Sequence, residues 1–269
     1  MSDQSRAVQL VVSDIDGTLI TSNHELTEAT REAARQLCDA GIALSLASSR
    51  PARSIRPLAE ALGMTSPFAA FNGALIATAE GSVVAASIIE PVTTARIKAI
   101  ADEFALSVWA YDERDWWAPH VDAFVEREMH TSGFEPRLEG YDARIAGPLN
   151  KLTVVGKPEL VAQAEQRVWD ERAGEVTASR SKPRFLDVTP FGVHKGSAVP
   201  RLAEMLGVSP AAVAVIGDGP NDVEMFREAA VSIAMGQAVD DVRLAANCVT
   251  TSNDDEGWAR GIERFVLRK

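Results

Sequence analysis

The stretch VQLVVSDIDGTL, residues 8–19, decides the fold of this 269-residue chain. Its first five residues form a short, nearly all-apolar run that is rich in Val, which is typical of a strand buried on both faces. Polar residues follow directly at positions 14–18. In an open parallel sheet, ligands bind outside the carboxyl ends of the strands. The stretch therefore predicts a parallel strand with functional residues at its end.

The rest of the first third continues this alternation of strand and helix. A helix is predicted after Thr27, which is placed as an N-cap, and it is predicted to end before Gly41. Residues 42–47 are apolar enough for the next strand, and Asn72-Gly73 predicts a turn between two further short strands. Strand, helix and strand joined by short connections indicate a parallel sheet with right-handed crossovers.

The last third of the chain repeats the pattern. Lys195 opens a predicted helix that ends at Gly207, and residues 213–216 form a predicted buried strand. The polar sequence GDGPND follows at residues 217–222, and another short strand is predicted at residues 231–234. This strand end and the one after residue 12 are therefore expected to meet at the same edge of the sheet.

The middle of the chain has a different composition. Four of the five Trp and both Tyr lie between residues 79 and 189, where the strand-like segments alternate more in polarity. Alternation predicts a sheet with one open face, so this segment is expected to form an inserted α+β cap. The predicted fold class is α/β, with a doubly wound, Rossmann-like parallel-sheet core from residues 1–78 and 190–269 and the cap at residues 79–189.

Charge and composition exclude several classes of protein. The chain carries 27 basic and 38 acidic residues, a net charge of −11, which disfavours binding to nucleic acid and to membrane surfaces. No apolar run approaches the roughly 20 residues that span a bilayer, and the N-terminus lacks the features of a signal peptide, so a cytoplasmic protein is expected. Two cysteines are too few for a disulfide framework, and Cys38, beside Leu37, is predicted to fill core space.

Four aspartates cluster at the predicted strand ends: Asp14, Asp16, Asp218 and Asp222. A single Asp after a strand is more often a turn or helix-capping residue. Four acids brought close together repel one another, so they need a cation or a proton. A set of oxygen ligands favours a hard divalent ion such as Mg²⁺, and the sequence offers zinc no group of His and Cys.

At this point the motifs resemble a known family. DIDGTL at residues 14–19, the Ser48 segment, Lys195-Gly196 and GDGPND at residues 217–222 are similar to the motifs of the haloacid dehalogenase-like hydrolases. The large insert between the second and third motifs resembles that of the Cof-type branch, whose members are mostly phosphatases of sugar phosphates and other small esters. One departure is visible: the family's second motif commonly has Ala-Thr-Gly-Arg, whereas residues 47–50 are Ala-Ser-Ser-Arg.

The resemblance implies a role for each of the four acids. Asp14 is expected to be the nucleophile that forms an aspartyl-phosphate, and Asp16 the general acid and base. Mg²⁺ is expected to bind the Asp14 carboxylate, the backbone carbonyl of Asp16, and Asp218. Asp222 belongs to the same metal site, where it is expected to orient metal-bound water rather than to bind the metal directly.

The resemblance also implies the residues that bind phosphate. Ser48 and the amides that follow it, including that of Ser49, are expected to hydrogen-bond the phosphate oxygens. Lys195 is expected to supply the fixed positive charge that the transition state requires. Asn221 corresponds to a family position near the phosphate, although a helix-capping role explains it nearly as well.

Contacts with the rest of the substrate are predicted from weaker signals. Arg50 is expected either at the substrate or in an ion pair, and Asn72 either faces the leaving group or simply serves the Asn-Gly turn. Tyr111, Trp116 and Trp117 are the large apolar cap residues proposed to contact the substrate, with packing inside the cap as the alternative.

The predicted function is Mg²⁺-dependent hydrolysis of small-molecule phosphomonoesters, such as sugar phosphates, through an aspartyl-phosphate; a small phosphate ester is the expected partner. One alternative is a phosphotransferase or mutase with the same covalent intermediate. Another is a non-enzymatic, phospho-accepting signalling module, but such a module has no need of a large insert, and a second Asp two positions after the nucleophile serves turnover rather than storage. A catalytically silent binding protein is disfavoured because every chemical position is occupied.

Overall fold

The structure, a computed structural model, describes residues 8–268. In chain order the strands are β1 (Leu10–Ser13), β2 (Ala43–Leu46), β3 (Phe68–Ala70), β4 (Leu75–Ala77), β5 (Val83–Ala86), β6 (Ser107–Tyr111), β7 (Trp116–Trp117), β8 (Lys151–Val155), β9 (Val176–Lys182), β10 (Phe185–Pro190), β11 (Val213–Gly217), β12 (Val231–Ala234) and β13 (Cys248–Val249). The α-helices are α1 (Glu28–Asp39), α2 (Ala52–Ala61), α3 (Pro91–Glu103), α4 (Ala123–Ser132), α5 (Tyr141–Ile145), α6 (Pro158–Arg172), α7 (Lys195–Met205), α8 (Val223–Arg227), α9 (Asp240–Ala245) and α10 (Gly257–Gly261). Within the described residues, no helix is both long and apolar enough to cross a membrane.

Five parallel strands form the core sheet in the order β13-β12-β11-β1-β2. β1 pairs with β2 on one side and with β11 on the other, so that Leu10 lies opposite both Ala43 and Val213. From β1 the chain continues outward to β2, and from β11 it continues in the opposite direction to β12 and β13. The strand order therefore reverses between β1 and β11, which confirms the predicted doubly wound core.

Helices cover both faces of the core sheet, as the apolar character of β1 predicts. Val11 packs in the same cluster as residues of α1 and α10, whereas Leu10 and Val12 pack with residues of α7. A strand whose successive residues are all buried cannot have a solvent-exposed face. The start of α1 is also as predicted, since the Thr27 hydroxyl accepts a hydrogen bond from the backbone N–H of Thr30 at 3.2 Å.

The prediction that Cys38 fills core space is wrong. α1 buries Thr30, Ala33, Ala34 and Leu37, whose spacing of three and four residues places them on one face of the helix. Cys38 follows Leu37 by one residue, which corresponds to a rotation of about 100° around the helix axis. Its side chain is consequently exposed.

A small antiparallel sheet of β3, β4 and β5 stands beside the core sheet. A parallel bridge between Ala47 and Ala69 connects it to the chain just after β2. The predicted turn is present between β3 and β4, but it is a short 3₁₀ segment, Phe71–Gly73, in which Asn72 adopts a φ of 57°. This conformation is one that Asn tolerates better than most residues.

The segment between β5 and α7 contains a second five-stranded sheet, which is antiparallel and has the order β7-β6-β8-β10-β9. We call this the cap sheet. Alternate residues such as Val108 and Leu152 pack in one cluster with residues of α3 and α6. The intervening residues, among them Trp109, Thr153 and Asp187, border a cavity at the carboxyl end of the core sheet. The face predicted to be open is thus the one turned toward the core, and the inserted α+β cap is confirmed.

Two hydrogen bonds tie the cap to the core near this cavity. The Lys151 ammonium donates to the backbone carbonyl of Ser49 at 2.9 Å, and the Ser54 hydroxyl donates to the carbonyl of Ser132 at 2.6 Å. The first bond joins the cap sheet to the loop after β2, and the second joins α2 to α4. The domain limits at residues 78/79 and 189/190 stay a prediction.

Candidate active site

The carboxyl ends of β1, β2 and β11 meet beneath the cap sheet around a cavity of about 360 Å³. Asp14 follows β1 and Asp218 follows β11, so both acids lie where the strand order reverses, the usual ligand site of an open α/β sheet. A larger, more open groove of about 830 Å³ lies on the cap beside Tyr141 and contains none of the predicted site residues. The wall of the smaller cavity includes seven of them, namely Asp14, Asp16, Ser49, Arg50, Lys195, Asp218 and Asn221.

Lys195, the first residue of α7, is a buried cation held between two acids. Its ammonium donates to Asp14 Oδ1 at 2.6 Å and to Asp222 Oδ1 at 2.7 Å. Burial alone would lower the pKa of Lys195, but the charges of these two carboxylates raise it well above its ordinary value. Lys195 is therefore a permanent positive charge in the cavity wall, and it fixes the orientation of the Asp14 carboxylate.

Asp222 shapes the turn after β11 and does not line the cavity. It is fully buried, and its Oδ2 accepts hydrogen bonds from the backbone N–H groups of Asp218 at 3.0 Å and Gly219 at 2.8 Å. Because its Oδ1 accepts from Lys195, both of its oxygens are engaged. Asp222 thus positions Asp218 and Lys195 in the site.

Gly17 permits the close approach of Asp218 to the loop after β1. Its φ is +81°, a conformation that favours glycine, and a Cβ at this position would lie 2.4 Å from Asp218 Oδ2. The neighbouring Thr18 hydroxyl donates to Asp218 Oδ1 at 3.2 Å. The DIDGTL motif therefore supplies a nucleophile candidate and also the space and the hydrogen bond that hold a second acid.

Asp14, Asp218 and Asp222, together with Lys195 beside them, fit a divalent metal ion. Carboxylate oxygens of Asp14, Asp218 and Asp222 lie within 4.8 Å of one another. Burial and the charge of Asp222 raise the pKa of Asp14 well above its ordinary value although Lys195 opposes the shift, and the same two causes raise the pKa of Asp218 to about 6. One ammonium does not neutralise three carboxylates, and a hard cation with oxygen ligands, such as Mg²⁺, fits the remaining charge.

Asp16 lies in the cavity wall but outside this group of three acids. Its carboxylate accepts two hydrogen bonds from the Arg50 guanidinium, one from Nε and one from Nη2, both at 2.7 Å. Burial alone would raise the pKa of Asp16, but the hydrogen bonds and charge of Arg50 lower it below its ordinary value. Asp16 is consequently ionised in this arrangement, and of the two settings expected for Arg50 the structure shows the ion pair.

Ser48 and Asn72 are buried side by side and do not line the cavity. The Ser48 hydroxyl accepts a hydrogen bond from the backbone N–H of Arg50 at 3.2 Å, and the Ser48 carbonyl accepts one from the N–H of Asn72 at 2.8 Å. These bonds shape the loop that carries Ser49 and Arg50. Direct contact of Ser48 with phosphate and of Asn72 with the leaving group stays a prediction.

Two of the three predicted cap aromatics are packing residues. Trp116 is fully buried, stacks on Tyr111 with 5.8 Å between ring centroids, and donates its indole N–H to the carbonyl of Phe134 at 3.3 Å. Neither Trp116 nor Trp117 lines the cavity, whereas Tyr111 does, together with Trp109. The prediction that Trp116 and Trp117 contact the substrate is wrong. Trp116 is fully buried by its packing partners, and Trp117 lies on the opposite face of the cap sheet, in the cluster with residues of α3 and α6.

Four charged cap residues in the cavity wall are absent from the sequence-based prediction: Glu128, Lys151, Lys182 and Asp187. Lys151 of β8 and Asp187 of β10 lie on the same face of the cap sheet as Trp109. Successive side chains of a strand point to opposite faces, so this alternation, combined with the pairing of the strands, could have located both residues. Glu128 lies on α4, and its position depends on how that helix packs over the sheet. No local sequence signal specifies such packing.

Comparison with known proteins decides the family. The sequence model of the haloacid dehalogenase-like hydrolases matches residues 11–262. The chain belongs to the haloacid dehalogenase-like hydrolases. A crystal structure of a hydrolase of this family from Bacteroides thetaiotaomicron is 30% identical in sequence, with a TM-score of 0.86 over 96% of this chain and 99% of that one. The predicted family and fold class are both confirmed.

Curated relatives of this hydrolase are named as phosphatases. The 5-amino-6-(5-phospho-D-ribitylamino)uracil phosphatase of Bacillus subtilis is 24% identical over 97% of this chain and 96% of that protein. An HMP-PP phosphatase of Yersinia pseudotuberculosis is 25% identical over 86% of this chain and 85% of that protein. The prediction that the chain is an enzyme, a phosphatase of the haloacid dehalogenase-like type, is confirmed.

Proposed function

We propose that this hydrolase releases inorganic phosphate from small-molecule phosphomonoesters, with Asp14 as the nucleophile. The placement of Asp14 carries the proposal: it is buried at the carboxyl end of β1, it lines the cavity, and Lys195 holds one of its oxygens at 2.6 Å. An oriented carboxylate beside a permanent positive charge suits in-line attack on a phosphoryl group. Relatives named as phosphatases of phosphorylated small molecules, including the sugar-like ribityl compound, support the same substrate class.

The metal in this proposal is Mg²⁺, held by the Asp14 carboxylate, the backbone carbonyl of Asp16, and Asp218. When bound, it supplies positive charge that screens the phosphate from the carboxylate of Asp14. Asp222, with both oxygens already engaged, acts on this site by positioning Asp218 and Lys195.

The reaction has two steps. In the first, the Asp14 carboxylate attacks phosphorus, the bond between phosphorus and the ester oxygen breaks, and Asp16 gives that oxygen its proton. In the second, Asp16 takes a proton from water as the water oxygen attacks phosphorus, the bond to Asp14 breaks, and inorganic phosphate leaves. Lys195, the Ser49 backbone N–H and the Asn221 amide stabilise the phosphoryl oxygens during both steps.

Arg50 has to release Asp16 before the first step. A carboxylate ionised by its ion pair with Arg50 has no proton to donate to the leaving oxygen. A phosphate dianion in the cavity competes for the same guanidinium, because Arg binds phosphate through the same two-pronged hydrogen bonds as it binds a carboxylate. Arg50 therefore serves as a phosphate ligand in the substrate complex, and Asp16 then becomes free to take up a proton.

The variant Asp14→Asn tests this function. Wild-type enzyme with Mg²⁺ is expected to release one phosphate per ester consumed, measured over a panel of sugar phosphates and other phosphorylated metabolites. Asp14→Asn is expected to lose about a thousandfold or more in turnover while circular dichroism shows an unchanged fold, and Asp142→Asn, an exposed cap aspartate, is the matched control. Retention of more than a few per cent of turnover by Asp14→Asn would identify another nucleophile, and consumption of ester without equivalent phosphate would identify a transferase.

A further inference from the structure

The loop after β2 has three consecutive backbone carbonyls that accept hydrogen bonds from donors outside the loop. The carbonyls belong to Ser48, Ser49 and Arg50, and their donors are, in that order, the Asn72 N–H at 2.8 Å, the Lys151 ammonium at 2.9 Å and the Phe71 N–H at 3.1 Å. Each of these carbonyl oxygens is therefore engaged by the protein itself. None is left free to repel an anion in the cavity.

The N–H groups of the same peptide bonds are used differently. The Arg50 N–H donates to the Ser48 hydroxyl at 3.2 Å, and Pro51 has no N–H. The Ser49 N–H makes no hydrogen bond with any of residues 8–268. Of the carbonyl and N–H groups in these peptide bonds, it is the one without a partner in the described part of the chain, and Ser49 borders the cavity.

The hydrogen bond from Asn72 sets the direction of this free N–H. Every peptide bond among the described residues is trans, so the Ser48 carbonyl and the Ser49 N–H that share one peptide bond point in opposite directions. The carbonyl is turned to Asn72, which is buried and does not line the cavity. The N–H is thus turned away from Asn72, as the binding of an anion in the cavity requires.

Lys151 is the donor that comes from the cap. Only 5% of this residue is exposed, and its ammonium lies 3.2 Å from Asp187 Oδ1. The ammonium also lies 4.5 Å from the ring centroid of Tyr111 and 5.8 Å from that of Phe71, where the negative faces of the rings attract it. Lys151 is therefore held by the cap and by the core at once, and it reaches the Ser49 carbonyl from a fixed position.

The other two donors come from a strained turn. Phe71 and Asn72 have φ angles of 51° and 57°, in the left-handed region that residues with a Cβ rarely occupy. Two such residues in succession persist only where the surrounding structure imposes them, and such conformations are concentrated at functional sites. Here the conformation presents both backbone N–H groups to the carbonyls of the loop after β2.

We infer that Lys151 and the turn at residues 71–72 are positioning residues for the phosphoryl group, acting through the peptide bonds on either side of Ser49. Without the Lys151 bond, the Ser49 carbonyl is free to turn toward the cavity, where its negative end repels phosphate. The inference rests on the proposed function, in which the Ser49 N–H stabilises the phosphoryl oxygens. It adds a cap residue to the part of the site that every ester shares.

Inhibition by inorganic phosphate tests this role, because phosphate fills the phosphoryl site and has no alcohol part. Lys151→Met is expected to raise the inhibition constant of phosphate by about tenfold or more. It is expected to lower kcat/KM by the same factor for the best sugar phosphate of the panel and for phenyl phosphate. The Mg²⁺ concentration that gives half-maximal activity is expected to stay within about twofold, because the loop after β2 supplies no metal ligand.

Two further variants separate positioning from charge and from folding. Lys182→Met removes the same charge from an exposed lysine of the same cavity wall, and it is expected to change the phosphate constant by no more than about threefold. Lys151→Met combined with Asp187→Asn removes both charges of the buried ion pair, so no buried charge is left unpaired. This double variant is expected to match Lys151→Met, and circular dichroism checks the fold of each protein.

The outcomes separate the positioning role from the proposed function. Phosphate constants within about twofold of wild type in both Lys151 variants overturn the positioning role and leave the phosphatase mechanism standing. A loss confined to one ester also overturns it, because Lys151 then contacts the alcohol part. An equal loss in Lys182→Met overturns it as well, because attraction by charge alone then explains the effect. Wild-type enzyme that releases no phosphate from any ester removes the proposed function, and the positioning role with it.

Discussion

Replacement of Glu128 by Gln is expected to stabilise the protein at neutral and alkaline pH. Burial raises the pKa of Glu128 from 4.5 to about 7, with Lys151 opposing the shift. Below pH 4.5 the carboxyl group is protonated in both the folded and the unfolded states, so it contributes no penalty. As the pH rises toward 7, the unfolded chain releases this proton while the folded protein keeps it, so stability falls. Above pH 7 the full penalty is present.

The size of the effect follows from the two pKa values. The difference between 4.5 and about 7 corresponds to a penalty of at most about 3 kcal/mol at pH 8. Because Glu128 is partly exposed to the cavity, solvent screens some of this, and we expect Glu128→Gln to gain about 1–2 kcal/mol. For a chain of this length, that gain corresponds to a rise in Tm of about 3–6 °C.

Thermal unfolding at a series of pH values measures this gain. The Tm of Glu128→Gln minus that of the wild type is expected to be largest at pH 8 and to shrink toward zero as the pH approaches 4.5. Glu126→Gln, on the exposed side of α4, serves as the control and is expected to show no such pH dependence. A Tm for Glu128→Gln at pH 8 that equals or falls below that of the wild type would refute the reasoning that ionised Glu128 destabilises the folded protein.

Four further predictions concern the core site and the cap interior. Chelation of divalent metal is expected to abolish phosphate release, and added Mg²⁺ is expected to restore it. Ca²⁺ is expected to inhibit, because this larger ion takes more ligands and would bind both oxygens of Asp14. Phosphate-release assays with each ion measure these effects. Gly17→Ala is expected to lower kcat by about tenfold or more, since its Cβ would lie 2.4 Å from Asp218 Oδ2; phosphate release at saturating Mg²⁺ measures it. Lys195→Met is expected to destabilise the metal-free protein by about 3–5 kcal/mol in urea unfolding, because Asp14 loses its buried partner. Trp116→Ala is expected to cost about 3–5 kcal/mol in the same assay, as removal of a fully buried Trp does, and to change kcat/KM by the same factor for a sugar phosphate and for a small generic phosphate ester.

The sequence was sufficient for the core and for most of its acids. A continuous apolar run followed by DIDGTL predicts both the buried strand and the place of Asp14. In a parallel strand buried on both faces, only the residues at the carboxyl end are accessible to a ligand. Side-chain partners were harder to predict. The sequence leaves two settings open for Arg50, an ion pair or the substrate, because its bond to Asp16 depends on how the loops after β1 and β2 approach each other.

The cap could be predicted as a structure but not as a binding surface. Its aromatic residues were recognised, yet the pair at positions 116 and 117 packs inside, while Trp109 faces the cavity. Which residues of a half-buried strand face a cavity depends on strand order, and order is a long-range property that local patterns do not encode. Glu128 was missed for the same reason, because its place in the wall depends on the docking of α4.

The hydrogen bond from Lys151 to the Ser49 carbonyl has a consequence for how new specificities can arise in this fold. β8 carries Lys151 and, two residues on, Thr153, which holds Asp187. Substitutions in this strand on the side of the cavity therefore also move the loop that carries Ser49 and Arg50. A laboratory selection for new substrates should consequently accumulate substitutions on α4 first. Substitutions on this helix can change which ester is preferred without moving the loop that carries Ser49 and Arg50.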